Sequence, residues 1–143
     1  MMVQSAALPY RMGAVGLEIL LVTNTGQTKW IVPKGHRESF MEPHLSAAKE
    51  AWEEGGVTGH VESRAIGTWT YTKSGLVRRV DVFPLIVVET HDLWPEMSHR
   101  RRRWLPHRAA IDRASIPELK ALIAALPEFL EYCGQVAPLR TTA

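Results

Sequence analysis

A single helical segment stands between two groups of strand-like segments, and this order restricts the fold more than any other feature of the sequence. Pro43 suits the first turn of a helix and the Gly55-Gly56 pair suits its end, which predicts a helix over residues 43–54. Before it, β-type runs separated by turn residues predict strands at 6–12, 17–23 and 29–32, and residues 33–35 begin a loop. After it, strands are predicted at 61–72, 76–88 and 102–105.

A second predicted helix follows the last strand and begins near Ser115. Its apolar residues recur at helical spacing, so one side of the helix should cover a sheet: Leu119, Leu122, Ile123, Leu126 and Leu130. Pro127 should kink or divide this helix, because proline cannot donate the helical hydrogen bond. The order of elements predicts an α+β fold, an α/β/α sandwich with a mixed sheet between helices. The length of 143 residues fits one domain, residues 1–143.

Composition excludes several classes of protein. With one cysteine, Cys133, an intrachain disulfide cannot form, and the histidines are scattered without the spacing of a zinc site. The N-terminus lacks the pattern of a signal peptide, and the longest apolar run, 82–88, is too short to span a membrane. These features predict a cytoplasmic protein.

One dense basic run, residues 99–103, stands out in a chain whose formal charge is only +2. It could clamp phosphate or contact RNA, or it could be a solvated loop. The run lacks interleaved aromatic residues, so no nucleic-acid partner is expected.

The predicted helix carries three acidic residues close together, Glu50, Glu53 and Glu54. Helical spacing places Leu45, Ala48 and Trp52 on one stripe, which is predicted to be buried, with the three acids on the opposite side. Like charges repel there and also face the negative pole of the helix. A divalent cation such as Mg²⁺ would turn this repulsion into binding, whereas a solvated acidic face is the simpler alternative.

The surrounding sequence, PKGHRESFMEPHLSAAKEAWEEGGV, resembles the Nudix box of the Nudix hydrolase family. That signature runs glycine, five residues, Glu, seven residues, Arg-Glu, an aliphatic residue, any residue, Glu-Glu, any residue, glycine and an aliphatic residue. Gly35, Glu50, Glu53-Glu54 and Gly56-Val57 align with it without a gap.

Two positions depart from the signature. Its early Glu falls on Met41, and Glu42, one place later, could partly replace it. Its Arg falls on Lys49, which cannot bind a carboxylate bidentately but could orient a neighbouring Glu by charge. Because neither change removes the helical acids, activity is still expected.

The resemblance implies a hydrolase that cleaves a phosphoanhydride, such as a nucleoside diphosphate linked to another group. It assigns metal binding to Glu50 and Glu54, with Glu53 near the metal and as the general base, and the Gly35 carbonyl as a further ligand. The implied metal is Mg²⁺, with Mn²⁺ as the alternative. The physical logic agrees, since a cation neutralises diphosphate charge and a carboxylate accepts the proton of the attacking water.

The segment WIVPKG, residues 30–35, resembles family members that act on diphosphoinositol polyphosphates and diadenosine polyphosphates, and an apolar residue at position 41 is a trait of that branch. The implied partner is a polyphosphorylated small molecule, and the chain is expected to be a monomer or homodimer. Basic residues should line the pocket of such an enzyme, and the candidates are Lys34, Arg79, Arg78 and Lys73, with a solvated surface charge as the alternative for each.

Several functions remain open. A diphosphoinositol polyphosphate is the first choice of substrate, and a diadenosine polyphosphate (Ap4A to Ap6A) is the second, which a pocket aromatic residue facing the metal would favour. Oxidised nucleotides and ADP-ribose are further choices. A Nudix domain that senses a nucleotide or binds RNA without catalysis is the non-enzymatic alternative.

Overall fold

The computed structural model describes residues 1–136 of the chain; the last part of the predicted domain, residues 137–143, lies outside them. It contains eight strands and three helices in the described residues: β1 (Met2–Met12), β2 (Leu17–Thr23), β3 (Trp30–Ile31), β4 (Lys34–His36), α1 (Pro43–Gly55), β5 (Val57–Val61), β6 (Gly67–Lys73), β7 (Leu76–Thr90), β8 (Arg102–Pro106), α2 (His107–Arg113) and α3 (Pro117–Val136). None of the helices in this part of the chain is both long and apolar enough to cross a membrane.

The strands form one mixed sheet around the long strands β1 and β7. These two run parallel, while β2 and β4 pair antiparallel with different parts of β1. On its other edge β7 pairs antiparallel with β5 and β6 in succession. The strand β2 in turn pairs antiparallel with β3 and with β8.

Helices cover both faces of this sheet, which confirms the predicted α/β/α sandwich. One core joins inward residues of the sheet, including Leu8, Ile19 and Val82, to Leu119 and Ile123 of α3. The second core lies on the other face, where Ala47 and Ala51 of α1 pack on residues such as Leu20, Phe83 and Leu85. We call these two sides the α3 face and the α1 face.

Most strands and both predicted helices are confirmed, although several bounds differ and β1 begins at Met2 rather than at residue 6. The predicted strand over 61–72 is two strands, β5 and β6, because the chain leaves the sheet between their separate pairings with β7. Residues 34–36 do not begin a loop; they form β4, which pairs with β1. The helix α2 was not predicted. Pro127 does not divide α3, which continues through it.

The predicted orientation of α1 is wrong. Ala47 and Ala51 are fully buried, whereas Leu45 is 45% exposed and Trp52 packs edge-on against His91 at the periphery. Two of the three acids, Glu50 and Glu54, therefore lie on the buried side of the helix rather than opposite it. Small alanines let the helix approach the sheet closely. The prediction used only the spacing of apolar residues and took no account of the size of their side chains.

The end of α1 is fixed by a glycine and by Arg102, the first residue of β8. Gly56 adopts a left-handed conformation (φ 65°), and Arg102 Nη1 donates to the carbonyls of Gly55 and Gly56. The Arg102 guanidinium also stacks 3.8 Å from the centroid of the Trp94 ring. A methyl group at position 56 would come within 2.5 Å of Arg102 Nη1 and 2.8 Å of the Trp94 ring.

Replacing Gly56 with alanine should therefore lower the free energy of unfolding by about 1–3 kcal/mol, from backbone strain and overlap. Gly134, in α3, is a matched control, because a methyl group there meets nothing within 4 Å. Gly134→Ala should raise stability by about 0.5–1 kcal/mol, the usual gain in a helix. Urea unfolding of the three proteins checks this, and equal stabilities of wild type and Gly56→Ala would contradict it.

Candidate active site

Two buried carboxylates lie at the centre of the candidate site. Glu50 and Glu54 are one helical turn apart on α1, and they are 8% and 5% exposed. The Glu50 carboxylate lies directly against Gly35 in β4, where any side chain would overlap it. Glu54 Oε1 accepts a hydrogen bond from the backbone N–H of Lys34, 3.1 Å away. The two acids are thus held against β4, between the helix and the sheet.

Burial raises the pKa of both acids. It raises the pKa of Glu54 to about 8, because desolvation outweighs the attraction of Arg100 and the hydrogen bond from Lys34. Burial also raises the pKa of Glu50, with a further contribution from the charge of Glu53. Burial thus shifts both carboxyl groups towards the neutral form although Arg100 and Lys49 lie nearby, and a bound cation would shift them back towards the charged form.

The third acid has different surroundings. The Glu53 carboxylate is 32% exposed, and its Oε2 lies 3.0 Å from Lys49 Nζ. The same ammonium group is 3.6 Å from Glu38 and 3.9 Å from Glu50. Lys49 thus orients a neighbouring Glu by charge, as expected for the residue that replaces the signature Arg.

Glu42, the predicted substitute for the early signature Glu, does not lie near the acidic cluster of α1. Glu42 is turned to solvent, with a side chain that is 74% exposed and 3.8 Å from His44. Glu38 is the acid of this loop that reaches Lys49, although it lies three residues before the signature position. Met41 contacts the hydroxyl of Ser46 through its sulfur. The loop geometry decides this, and no spacing rule in the sequence indicated Glu38.

The loop between β7 and β8 supplies two further residues that sequence reasoning missed. Arg100 Nη2 lies 3.2 Å from Glu54 Oε2, and its Nε donates to Glu96 at 2.8 Å. The charge of Glu96 contributes to the raised pKa values of both Glu50 and Glu54. The basic run 99–103 was the only sequence signal that pointed to Arg100. The structure shows that Arg100 forms ion pairs inside the protein and is not a solvated charge.

The residues present fit a hard divalent cation. Across residues 1–136, no three His, Cys, Asp or Glu side chains converge into a complete ligand set. Mg²⁺ does not require one, because it is commonly held by one or two carboxylates and completes its octahedron with waters and substrate phosphates. Glu50 and Glu54 supply two buried carboxylates with raised pKa values, and the Gly35 backbone lies beside them.

A cavity of about 450 Å³ lies on the α3 face of the sheet. Three lysines line it, together with aromatic and apolar residues: Lys29, Lys34, Lys73, Tyr71, Trp69, Ile31 and Ile116. Lys34 Nζ donates to the hydroxyl of Tyr71 at 3.2 Å, and that hydroxyl donates to Gln4. Because alternate residues of a strand face opposite sides, β4 presents Lys34 to the cavity and Gly35 to the acids.

The two other predicted substrate residues lie on opposite faces of the sheet. Arg79 has the same parity as Phe83 and faces α1, and Arg78 has the parity of Val82 and faces α3. Arg79 pairs with Asp81 at 3.1 Å, and Arg37 pairs with the same carboxylate. Although burial disfavours its charge, hydrogen bonds from both arginines hold the pKa of Asp81 below its usual value.

Comparison with known proteins identifies the class of this fold and site. Nudix hydrolase 12, mitochondrial, of Arabidopsis thaliana is 32% identical over 133 residues, which cover 87% of this chain and 64% of that protein. Diphosphoinositol polyphosphate phosphohydrolase 3-alpha of Mus musculus is 34% identical over 97 residues, 66% of this chain and 58% of that protein. The chain thus spans less than two thirds of the length of either relative. No family model matches it.

Solved structures share the fold. An Ap4A hydrolase of C. elegans, in a binary complex, superposes with a TM-score of 0.74 and 23% identity, covering 92% of this chain and 98% of that one. This structure shows the fold, and the named relatives show the family. The chain belongs to the Nudix hydrolase family.

The raised pKa of Glu54 predicts how the metal-free protein responds to pH. Its folded value, about 8, lies above the usual 4.5, so the folded state binds the proton more tightly than the unfolded state. Stability in the presence of chelator should therefore fall as pH rises from about 5 to 8, by at least roughly 1 kcal/mol. Urea unfolding at several pH values measures this.

Glu54→Gln should flatten this pH dependence, and the exposed Glu128→Gln should leave it as in wild type. Millimolar Mg²⁺ should also flatten it for wild type, by binding the folded state. A wild-type protein that becomes more stable between pH 5 and pH 8 in chelator would contradict the buried, proton-binding carboxyl pair.

Proposed function

We propose that this chain is a Mg²⁺-dependent hydrolase that cleaves a phosphoanhydride bond in a highly phosphorylated small molecule, with a diphosphoinositol polyphosphate as the first candidate. The observation that carries the proposal is the buried Glu50–Glu54 pair against Gly35. Two acids kept out of water cost stability unless a cation or protons compensate them, so their presence favours a cation site. Mn²⁺ is the alternative metal.

Each residue of the site has a proposed task. Glu50, Glu54 and the Gly35 carbonyl would hold the cation, which, when bound, offsets the charge of the diphosphate and makes a water more acidic. Glu53 would accept the proton of the attacking water, because its carboxylate is partly exposed and already oriented by Lys49. The water oxygen bonds to phosphorus as the anhydride P–O bond breaks, and the leaving phosphate keeps the electron pair.

The lysine-lined cavity supports a polyanionic substrate. Lys29, Lys34 and Lys73 bring three positive charges to it, against one carboxylate, Glu118. Its volume of about 450 Å³ falls in the range of small-molecule sites. Lys34 joins the cavity to the acids, since its backbone bonds Glu54 and its side chain lines the cavity. The likeness to a mouse diphosphoinositol polyphosphate phosphohydrolase points the same way.

A diadenosine polyphosphate is the second candidate, and one observation favours it. Tyr71, Ile31 and Ile116 give the cavity an aromatic and apolar wall, which an adenine base requires and an inositol ring does not. The Lys34 ammonium lies 5.1 Å from the centroid of the Tyr71 ring, so it competes with a base for that ring. The diphosphoinositol polyphosphate therefore remains the first candidate and the diadenosine polyphosphate the second. A cytoplasmic location and a monomeric or dimeric state remain predictions.

One panel of substrates tests the activity. Purified protein with Mg²⁺ is incubated with diphosphoinositol polyphosphate, Ap4A, Ap6A, ADP-ribose and oxidised dGTP, and the rates are ranked. We expect the diphosphoinositol polyphosphate to be hydrolysed fastest. Glu54→Gln should reduce the rate at least about 100-fold, because it removes a metal ligand, while the exposed Glu128→Gln keeps it.

Three outcomes would change the proposal. Faster hydrolysis of Ap4A or Ap6A by a wide margin would reverse the order of substrates. Tight binding of one of these molecules without any turnover would favour the non-catalytic sensor. Full activity of a folded Glu54→Gln protein would remove the metal role of that residue.

The lysines of the cavity make a separate prediction. Lys73→Ala should raise KM for the polyanionic substrate roughly fivefold while kcat changes little, because an exposed charge contact contributes equally to ground and transition states. Arg108→Ala removes an exposed positive charge that does not line the cavity and serves as control. Steady-state kinetics of the three proteins distinguishes the outcomes, and an unchanged KM for Lys73→Ala would place the substrate elsewhere.

A further inference from the structure

Arg100 differs from its neighbours in the basic run 99–103. Its side chain is 12% exposed, whereas Arg101 and Arg103 are exposed residues. Each of its three guanidinium nitrogens has an acceptor on a different element: Nε on Glu96 in the loop, Nη1 on the Thr23 carbonyl at the end of β2, and Nη2 on Glu54 in α1. The planar group therefore links the loop, the sheet and the helix.

We propose that Arg100 is a positioning residue that fixes the direction of the Glu54 carboxylate. Glu54 Oε2 faces Arg100 Nη2 at 3.2 Å, and Oε1 accepts from the Lys34 N–H at 3.1 Å. With one donor on each oxygen, the plane of the carboxylate is set before any cation arrives. The remaining lone pairs of both oxygens then point in defined directions.

The anchors of Arg100 are themselves held in place. The Glu96 backbone N–H donates to the Glu53 carbonyl at 3.0 Å, and the Arg100 N–H donates to the Glu96 carbonyl at 3.1 Å. The Arg101 N–H donates to the Thr23 hydroxyl. Because the loop is bonded to both α1 and β2, the backbone that carries Arg100 is held in place, and the three acceptors then fix the guanidinium.

A simple counter-charge would behave differently. If Arg100 only neutralised Glu54, its loss would leave the site more negative, and a divalent cation would bind more tightly. If it positions the carboxylate, its loss should weaken cation binding although the site becomes more negative. Lysine keeps the charge but cannot reach three acceptors with a planar fork, so Arg100→Lys separates the two roles.

The test uses the full chain and Mn²⁺ as the probe, with binding measured by electron paramagnetic resonance. Arg100→Lys and Arg100→Gln should both weaken Mn²⁺ binding about tenfold or more, as is usual when the partner of a metal ligand is lost. Arg101→Lys is the matched control and should bind like wild type. Thermal unfolding of each variant confirms that it is folded.

A second measurement needs no metal. In the apo protein, the amide resonance of Lys34 reports its hydrogen bond to Glu54, and it should shift in both Arg100 variants but not in Arg101→Lys. An unmoved Lys34 amide, or an Arg100→Lys protein that binds Mn²⁺ like wild type, would overturn the positioning role. The consequence for catalysis rests on the proposed function, which fails separately if wild type binds Mn²⁺ but hydrolyses no phosphoanhydride.

Discussion

Two carboxylates held out of water between a helix and a strand are the constraint on which the rest of this molecule depends. Glu50 and Glu54 lie on the same side of α1 as the alanines that pack on the sheet, so the helix cannot bury one set without the other. Their burial explains why Gly35 has no side chain, because any Cβ would overlap the Glu50 carboxylate. It also explains why Glu54 receives donors from Lys34 and Arg100, and why the Lys49 ammonium lies 3.9 Å from Glu50.

Charge compensation around these acids is divided between two cations with different surroundings. Lys49 is partly exposed and lies among Glu38, Glu50 and Glu53, so it balances the outer side of the cluster. Arg100 is nearly buried and meets Glu54 from the loop between β7 and β8. A flexible ammonium suits the open side, whereas a planar guanidinium with fixed acceptors suits the closed one. The strand β4 joins this cluster to the lysine-lined cavity on the other face.

Much of the fold could be predicted because it depends on local patterns. The β-type run at 17–23 is β2 as predicted, and the Pro43 start and glycine end of α1 are correct within one residue. The spacing of Leu119, Ile123 and Leu126 placed α3 on the sheet, where all three are buried. Errors arose where pairing between distant segments determines the structure. Residues 34–36 form a strand because they pair with β1, and the predicted strand 61–72 is two strands because β5 and β6 pair with different parts of β7.

The sequence by itself determined the family signature, the two-faced sandwich and the acids that a cation would need, because each follows from residue type and spacing along one element. Only the tertiary structure decided which side of α1 is buried, since that depends on how closely Ala47 and Ala51 let the helix approach the sheet. It alone brought Arg100 to Glu54 and turned Glu42 away to solvent. Contacts between residues far apart in the chain depend on the path of the loops, and the local pattern of residues carries no measure of that path.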